Sequence, residues 1–236
     1  MAKKYFMVLD TETFSSDRKV FDLGFKVIDR AGVCYEQGSF VVEEILCNED
    51  TIWTLMHDEF SKNKLPHYFA SLNSGKQEFI CKPFAAIRAI VNSILQQYHA
   101  TLCAYNISFD INALNKTSRA FLNCDFFEEM LELFDIWHAA MSTLCGLSFI
   151  KFIAENSIIT DKGNPQTGAE AIYKFLTKNQ QIEEAHTALA DCEIESEIFA
   201  ACVKTHKKMD KEPVKMCMHH AHWRDIVNRY HEYTQN

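Results

Sequence analysis

Asp10 and Glu12 stand two residues apart at the end of the run Tyr5 to Thr13, which reads YFMVLDTET. Side chains of an extended chain alternate faces, so both carboxylates emerge on one side, close together. Like charges held that close repel, and either a shared proton or a divalent cation that favours carboxylate oxygen must neutralise them. Asp110 lies four residues past Asn106, one turn into a helix and on the face of its cap. Asp191 lies four residues past Thr187, a second cap, and His186 just precedes that helix. In regular helix His186 and Asp191 would point roughly 140° apart, so their convergence requires His186 on the approach to the helix. Four carboxylates and a histidine at element ends form the donor set of two-cation phosphodiester hydrolysis. Mg²⁺ and Mn²⁺ take oxygen ligands, and two such ions about 3.5–4 Å apart clamp the attacking and leaving oxygens. A neutral histidine can take the proton of the attacking water.

The elements that must position these groups are legible as periodicity. The uninterrupted apolar run Tyr5 to Thr13 predicts a strand buried on both faces, whose C-terminal end is where open α/β sheets place their sites. Val20 to Asp29 and Cys34 to Val42 predict two more strands, joined by short polar turns into an antiparallel meander. Residues 43–82 lose clean periodicity and read as a partly helical insertion over the sheet. Pro83 opens a helix whose core face carries Phe84, Ile87, Ile90, Val91, Ile94 and Leu95. Thr101 to Tyr105 predicts a short strand running into a helix with Asn106 suited to cap it, and Leu133 to Ile136 predicts another, with Asp135 capping the helix near Trp137. Leu147 to Glu155 reads as helix, Ser157 to Gly168 as loop, and the segment from Thr187 as a long amphipathic helix. A basic connector, Lys204 to Lys215, leads to a last amphipathic helix with Trp223, Ile226, Val227 and Tyr230. The expected organisation is one α/β domain over residues 1–203 and a C-terminal extension over 204–236. Its core is a mixed sheet of about five strands flanked by helices.

The chain has 236 residues, 47% of them apolar, enough for one well-packed domain. No apolar run is long enough to span a bilayer, so no membrane role is expected. Nine cysteines, an odd number without a CxxC pair, fit free thiols in a reducing cytoplasm, the expected location, which includes a virus in its host. The net charge of −8 argues against a broad electrostatic footprint for nucleic acid. It does not exclude a nucleic-acid enzyme, because a carboxylate site is acidic by necessity and bound cations meet the phosphate. His219, His220 and His222 with Cys217 lack a second ligand pair at zinc-site spacing and read as a solvated or packed helix start.

Taken in order, LDTET with Asp10 and Glu12, AYNISFD with Asp110 and EEAHTALAD with His186 and Asp191 resemble the three motifs of the DnaQ-like DEDDh 3′ to 5′ exonucleases. FDIWHAA and AEAIYKFL are similar to segments of stand-alone members from bacteria and their viruses. The resemblance implies a ribonuclease H-like three-layer fold and two divalent cations, Mg²⁺ or Mn²⁺. It implies that Asp10 bridges both, that Glu12 and Asp191 complete the nucleophile side, that Asp110 holds the leaving-group cation and that His186 is the general base. Thr11, Thr13 and Phe14 would line the pocket for the 3′-terminal nucleotide, with Asn106 and Phe109 supporting the second motif. The substrate implied is the 3′ end of single-stranded or frayed DNA. An RNA-directed enzyme on the same fold and a non-catalytic binding module are the rivals, and a polymerase or repair protein is a further expected partner. Tyr105 stands where many members carry histidine, and Phe14-Ser15 where many carry Thr-Gly.

Overall fold

The computed structural model describes residues 3–13, 18–57, 62, 65–74, 79–182, 187–205 and 219–235. Phe14, His186, Cys217 and most of the basic connector lie outside the described residues. Six strands form one sheet: β1 (Tyr5–Thr13), β2 (Val20–Asp29), β3 (Cys34–Val42), β4 (Ile80–Lys82), β5 (Thr101–Ala104) and β6 (Leu133–Asp135). Their order across the sheet is β4-β3-β2-β1-β5-β6. The first three make the expected antiparallel meander. β5 pairs parallel to β1, β6 parallel to β5, and β4 parallel to β3 at the far edge. The sheet thus has six strands where about five were expected. β4, at three residues, is too short to show alternation in a sequence.

Among the described residues ten helices surround it: α1 (Glu43–Leu46), α2 (Glu49–His57), α3 (Leu65–Ser74), α4 (Phe84–Tyr98), α5 (Ile107–Leu122), α6 (Ile136–Thr143), α7 (Leu147–Glu155), α8 (Ala169–Thr177), α9 (Ala188–Thr205) and α10 (His219–Gln235). The alternation of β1 divides the core in two. Met7 and Leu9 pack with α4 and α5 on one face, whereas Phe6 and Val8 pack with α6, α7, α9 and α10 on the other. All four are at most 2% exposed, and each such burial is worth roughly 2 kcal/mol. That anchoring holds the strand in place against the repulsion among carboxylates at its end.

The stretch 43–82 contributes α1, α2, α3 and β4, and it is tied into the core. Leu65 and Tyr68 of α3 are buried, and the Glu44 carboxylate accepts the Phe84 amide at 2.9 and 3.1 Å, satisfying the first N–H of α4. At the other end of the chain, α10 lies on α6 and α7 with Ile226 and Tyr230 buried. Trp223 packs against the same core, as its spacing suggested. Among the described residues no single helix is long and apolar enough to cross a membrane, and no described cysteine is in a disulfide.

Candidate active site

Asp10 and Glu12 occupy the C-terminal end of β1, on the face turned toward α9. Asp10 lies within electrostatic range of Asp110, Glu195, Asp191 and Glu12. Desolvation first, and then these four carboxylates in that order, push its carboxyl well above the usual range. Glu12 stands opposite Asp22 of β2 in the antiparallel register, directly across the ladder. Thr13 follows an irregularity in that register, at the strand's last position.

Asp110 reaches the cluster from the other side of the sheet. It is 3% exposed, and the Thr11 hydroxyl donates to its Oδ1 at 2.8 Å. Burial pushes its carboxyl up to about 7, although the Thr11 hydrogen bond and the backbone amides pull the other way. Thr11, expected to line the nucleotide pocket, is itself buried and spends its hydroxyl on this carboxylate.

The cap of α5 differs from expectation. Asn106 is at the N-cap position but in the left-handed region, at φ 68° and ψ 54°, and makes no capping bond; its Oδ1 accepts from the Ser108 hydroxyl instead. An N-cap side chain reaches its helix amides from extended backbone, which Asn106 does not have. Asp135 does the work from β6. Its Oδ2 accepts the Ile107 amide at 3.2 Å and its Oδ1 the His138 amide at 2.9 Å, so one buried carboxylate caps both α5 and α6. Only the second of these was expected.

Asp191 lies in the first turn of α9, its amide bonded to the Thr187 carbonyl at 3.0 Å. The start of this helix is held by β2. The Ala188 amide donates to Asp22 Oδ2 at 2.9 Å, and the Tyr68 hydroxyl from α3 donates to the same oxygen at 2.5 Å. Gly24 makes the contact possible, since a Cβ there would sit 2.3 Å from the Ala188 carbonyl carbon and the Leu189 nitrogen. The segment that carries His186 leads directly into this anchored point.

Two buried carboxylates of the cluster went unnoticed in the sequence. Asp22 is fully buried opposite Glu12. Glu195, one turn beyond Asp191 on the same helix face, is 3% exposed and accepts the Tyr105 amide at 3.2 Å. Asp22 had a visible signal, a charge inside the otherwise apolar run VFDLG, whereas Glu195 stands in CEIESEIF among two other glutamates and had none. Phe109 turns the opposite way from Asp110 and is 36% exposed. Among the described residues, no three His, Cys, Asp or Glu side chains are disposed to hold a metal ion as they stand. Chemically the set still suits a hard cation, because Asp10 and Asp110, both raised by burial, would be stabilised as anions by Mg²⁺ or Mn²⁺.

No protein-family model and no curated protein sequence matches the chain. Solved structures do. The chain superimposes on E. coli Exonuclease I in complex with a dT13 oligonucleotide at a TM-score of 0.56 and 15% identity, covering 89% of this chain and 43% of that one. A product-bound exonuclease I gives 0.52 and 17%, over 89% and 46%; an ExoI/SSB-Ct complex gives 0.53 and 14%, over 89% and 43%. At these identities the likeness is one of fold, the ribonuclease H-like mixed sheet flanked by helices. This chain spans less than half the length of those proteins.

Proposed function

We propose that this protein is a metal-dependent 3′ to 5′ exonuclease that releases nucleoside 5′-monophosphates from single-stranded or frayed DNA. The observation that carries the reading is that Asp10, at the C-terminal end of the central strand, lies within electrostatic range of Asp110, Asp191 and Glu12, with burial and this repulsion raising its carboxyl and burial raising that of Asp110. The fold shared with oligonucleotide-bound Exonuclease I supports the same reaction class and favours DNA over RNA as substrate.

In this reading Asp10, Glu12 and Asp191 would hold a divalent cation on the nucleophile side, and Asp10 and Asp110 would hold a second on the leaving-group side. When bound, the cations supply the positive charge that offsets the phosphate and the developing oxyanions. His186, two residues before the Ala188 amide that Asp22 holds, would take the proton of the attacking water. The P–O bond to the 3′ oxygen of the penultimate nucleotide then breaks, and that oxygen acquires a proton from solvent. Thr11 keeps Asp110 oriented, and Thr13 and Phe14 are the residues that would contact the terminal nucleotide.

Incubating a 5′-labelled single-stranded DNA oligomer with Mg²⁺, with Mn²⁺ and with chelator tests the reading, with Asp10→Ala as control. The expected result is a cation-dependent ladder that shortens from the 3′ end and vanishes in the variant. Internal cuts, trimming from the 5′ end or cleavage by Asp10→Ala would each overturn it. A matched RNA oligomer in parallel separates the DNA enzyme from an exoribonuclease.

A further inference from the structure

Beside the carboxylate cluster, a cavity of about 460 Å³ opens on the outer face of α5, lined by Arg18, Phe109, Asn112, Ala113 and Lys116. Positions 109, 112 and 116 follow the three-and-four spacing of one helix face, so an aromatic ring, an amide and an ammonium stand in line over about 10 Å of helix. Asp110, about 100° round the same helix from Phe109, points inward to the cluster. The ridge therefore begins one residue from the candidate catalytic groups and runs away from them. Arg18 adds a second cation from the chain beyond β1, its guanidinium carbon 5.9 Å from the centre of the Phe109 ring. Among the described residues neither Arg18 nor Lys116 is in an ion pair.

A polynucleotide approaching a protein of net charge −8 is repelled overall, and a local cationic track is what guides it in. Single strands present base faces to aromatic rings and phosphates to arginine and lysine. We infer that the outer face of α5 is a single-stranded nucleic-acid subsite that holds the strand just 5′ of the scissile bond. Phe109 stacks on a base, Arg18 and Lys116 take backbone phosphates, and Asn112 hydrogen-bonds a base or sugar edge. The inference rests on the exonuclease reading for its polarity, because only a 3′-end enzyme leaves the rest of the strand on the 5′ side.

Binding of a 5′-fluorescein-labelled oligothymidylate, followed by anisotropy in EDTA across a salt series, tests the surface without turnover. Relative to the wild type, Arg18→Ala/Lys116→Ala should bind roughly tenfold more weakly at low salt. Its plot of log affinity against log salt should be shallower by about 1.4, the loss of two phosphate contacts at about 0.7 each. Arg18→Lys/Lys116→Arg should keep the wild-type slope. Phe109→Ala should weaken binding by roughly 5- to 100-fold with the slope unchanged. An unchanged slope in the double alanine variant overturns the proposal, as does a wild type that shows no salt-dependent binding. Hydrolysis of the p-nitrophenyl ester of thymidine 5′-monophosphate, assayed beside it, reports on the carboxylate cluster alone. Binding as expected by a wild type that hydrolyses neither ester nor oligomer would sink the exonuclease reading and leave the surface standing.

Discussion

Removing the carboxylate of Asp10 acts in two opposite directions. It deletes a proposed cation ligand, and it relieves the cluster of a carboxylate that desolvation and its acidic neighbours hold well above the usual range. Asp10→Ala and Asp191→Ala should therefore abolish hydrolysis, a loss of three or more orders of magnitude in kcat, while the metal-free thermal midpoint stays level or rises. A drop of many degrees would mean that the cluster is a structural network. The same cluster sets a pH dependence. Asp110, raised from an ordinary 3.8 to about 7, and Asp10, raised well above the usual carboxylate range, bind protons more readily folded than unfolded. Their stabilising contribution is complete below about pH 3.8 and is lost as pH rises through about 7. Asp29 acts in the other sense, because hydrogen bonds from the Ala31 and Val33 amides outweigh burial and hold its carboxyl low, but its window lies below 3.8. In EDTA the protein should melt at a lower temperature at pH 8 than at pH 5, and Mg²⁺ should remove most of the difference. Calorimetry that shows a flat or rising midpoint in EDTA would count against buried, repelling carboxylates.

At the scale of elements, the candidate residues depend on helix starts held from a distance. Asp135 satisfies the first amides of both α5 and α6. Asp135→Ala should cost about 1 to 2 kcal/mol for each cap, measurable as a shift in urea midpoint, and should lower activity through displaced Asp110. Tyr68→Phe removes a charge-assisted hydrogen bond to Asp22 and should cost about 2 kcal/mol. Because Asp22 also holds Ala188, the variant should lower kcat more than it raises KM; equal kcat would separate α3 from the site. These links explain what a reader of the sequence could and could not see. β1 was legible because the five-residue apolar run Tyr5 to Leu9, directly before two acids, fits a buried strand that ends at a site. The Asp135 cap of α6 was legible because it is local. The second bond of Asp135, to Ile107, was hidden by the 28 residues that separate its partners, and the link from Tyr68 to Asp22 by 46. Asn106 has a cap's composition, and only its left-handed backbone shows that it does not cap. Asp22 and Glu195 went unnoticed, since nothing local reveals that they face Glu12 and Tyr105.

Across the whole molecule, two cores share one sheet, and α9 touches the candidate site, β1 and β2 together. The stretch 43–82 belongs to that body through Glu44, Leu65 and Tyr68, so cutting it back to a short turn should give a chain that loses activity along with stability, read by cleavage and circular dichroism on the same preparation. Both outer rims of the sheet are three-residue strands, β4 on one side and β6 on the other. An open rim of that length offers an approaching chain very few backbone groups to pair with, whereas β3 behind it is nine residues long. Deleting β4 with its neighbouring helices would uncover the Phe40 to Val42 ladder positions that it now occupies. The shortened protein should then associate edge to edge, raising light scattering and thioflavin fluorescence where the intact chain does not. In that sense a strand that takes no part in the chemistry keeps the molecules apart from one another.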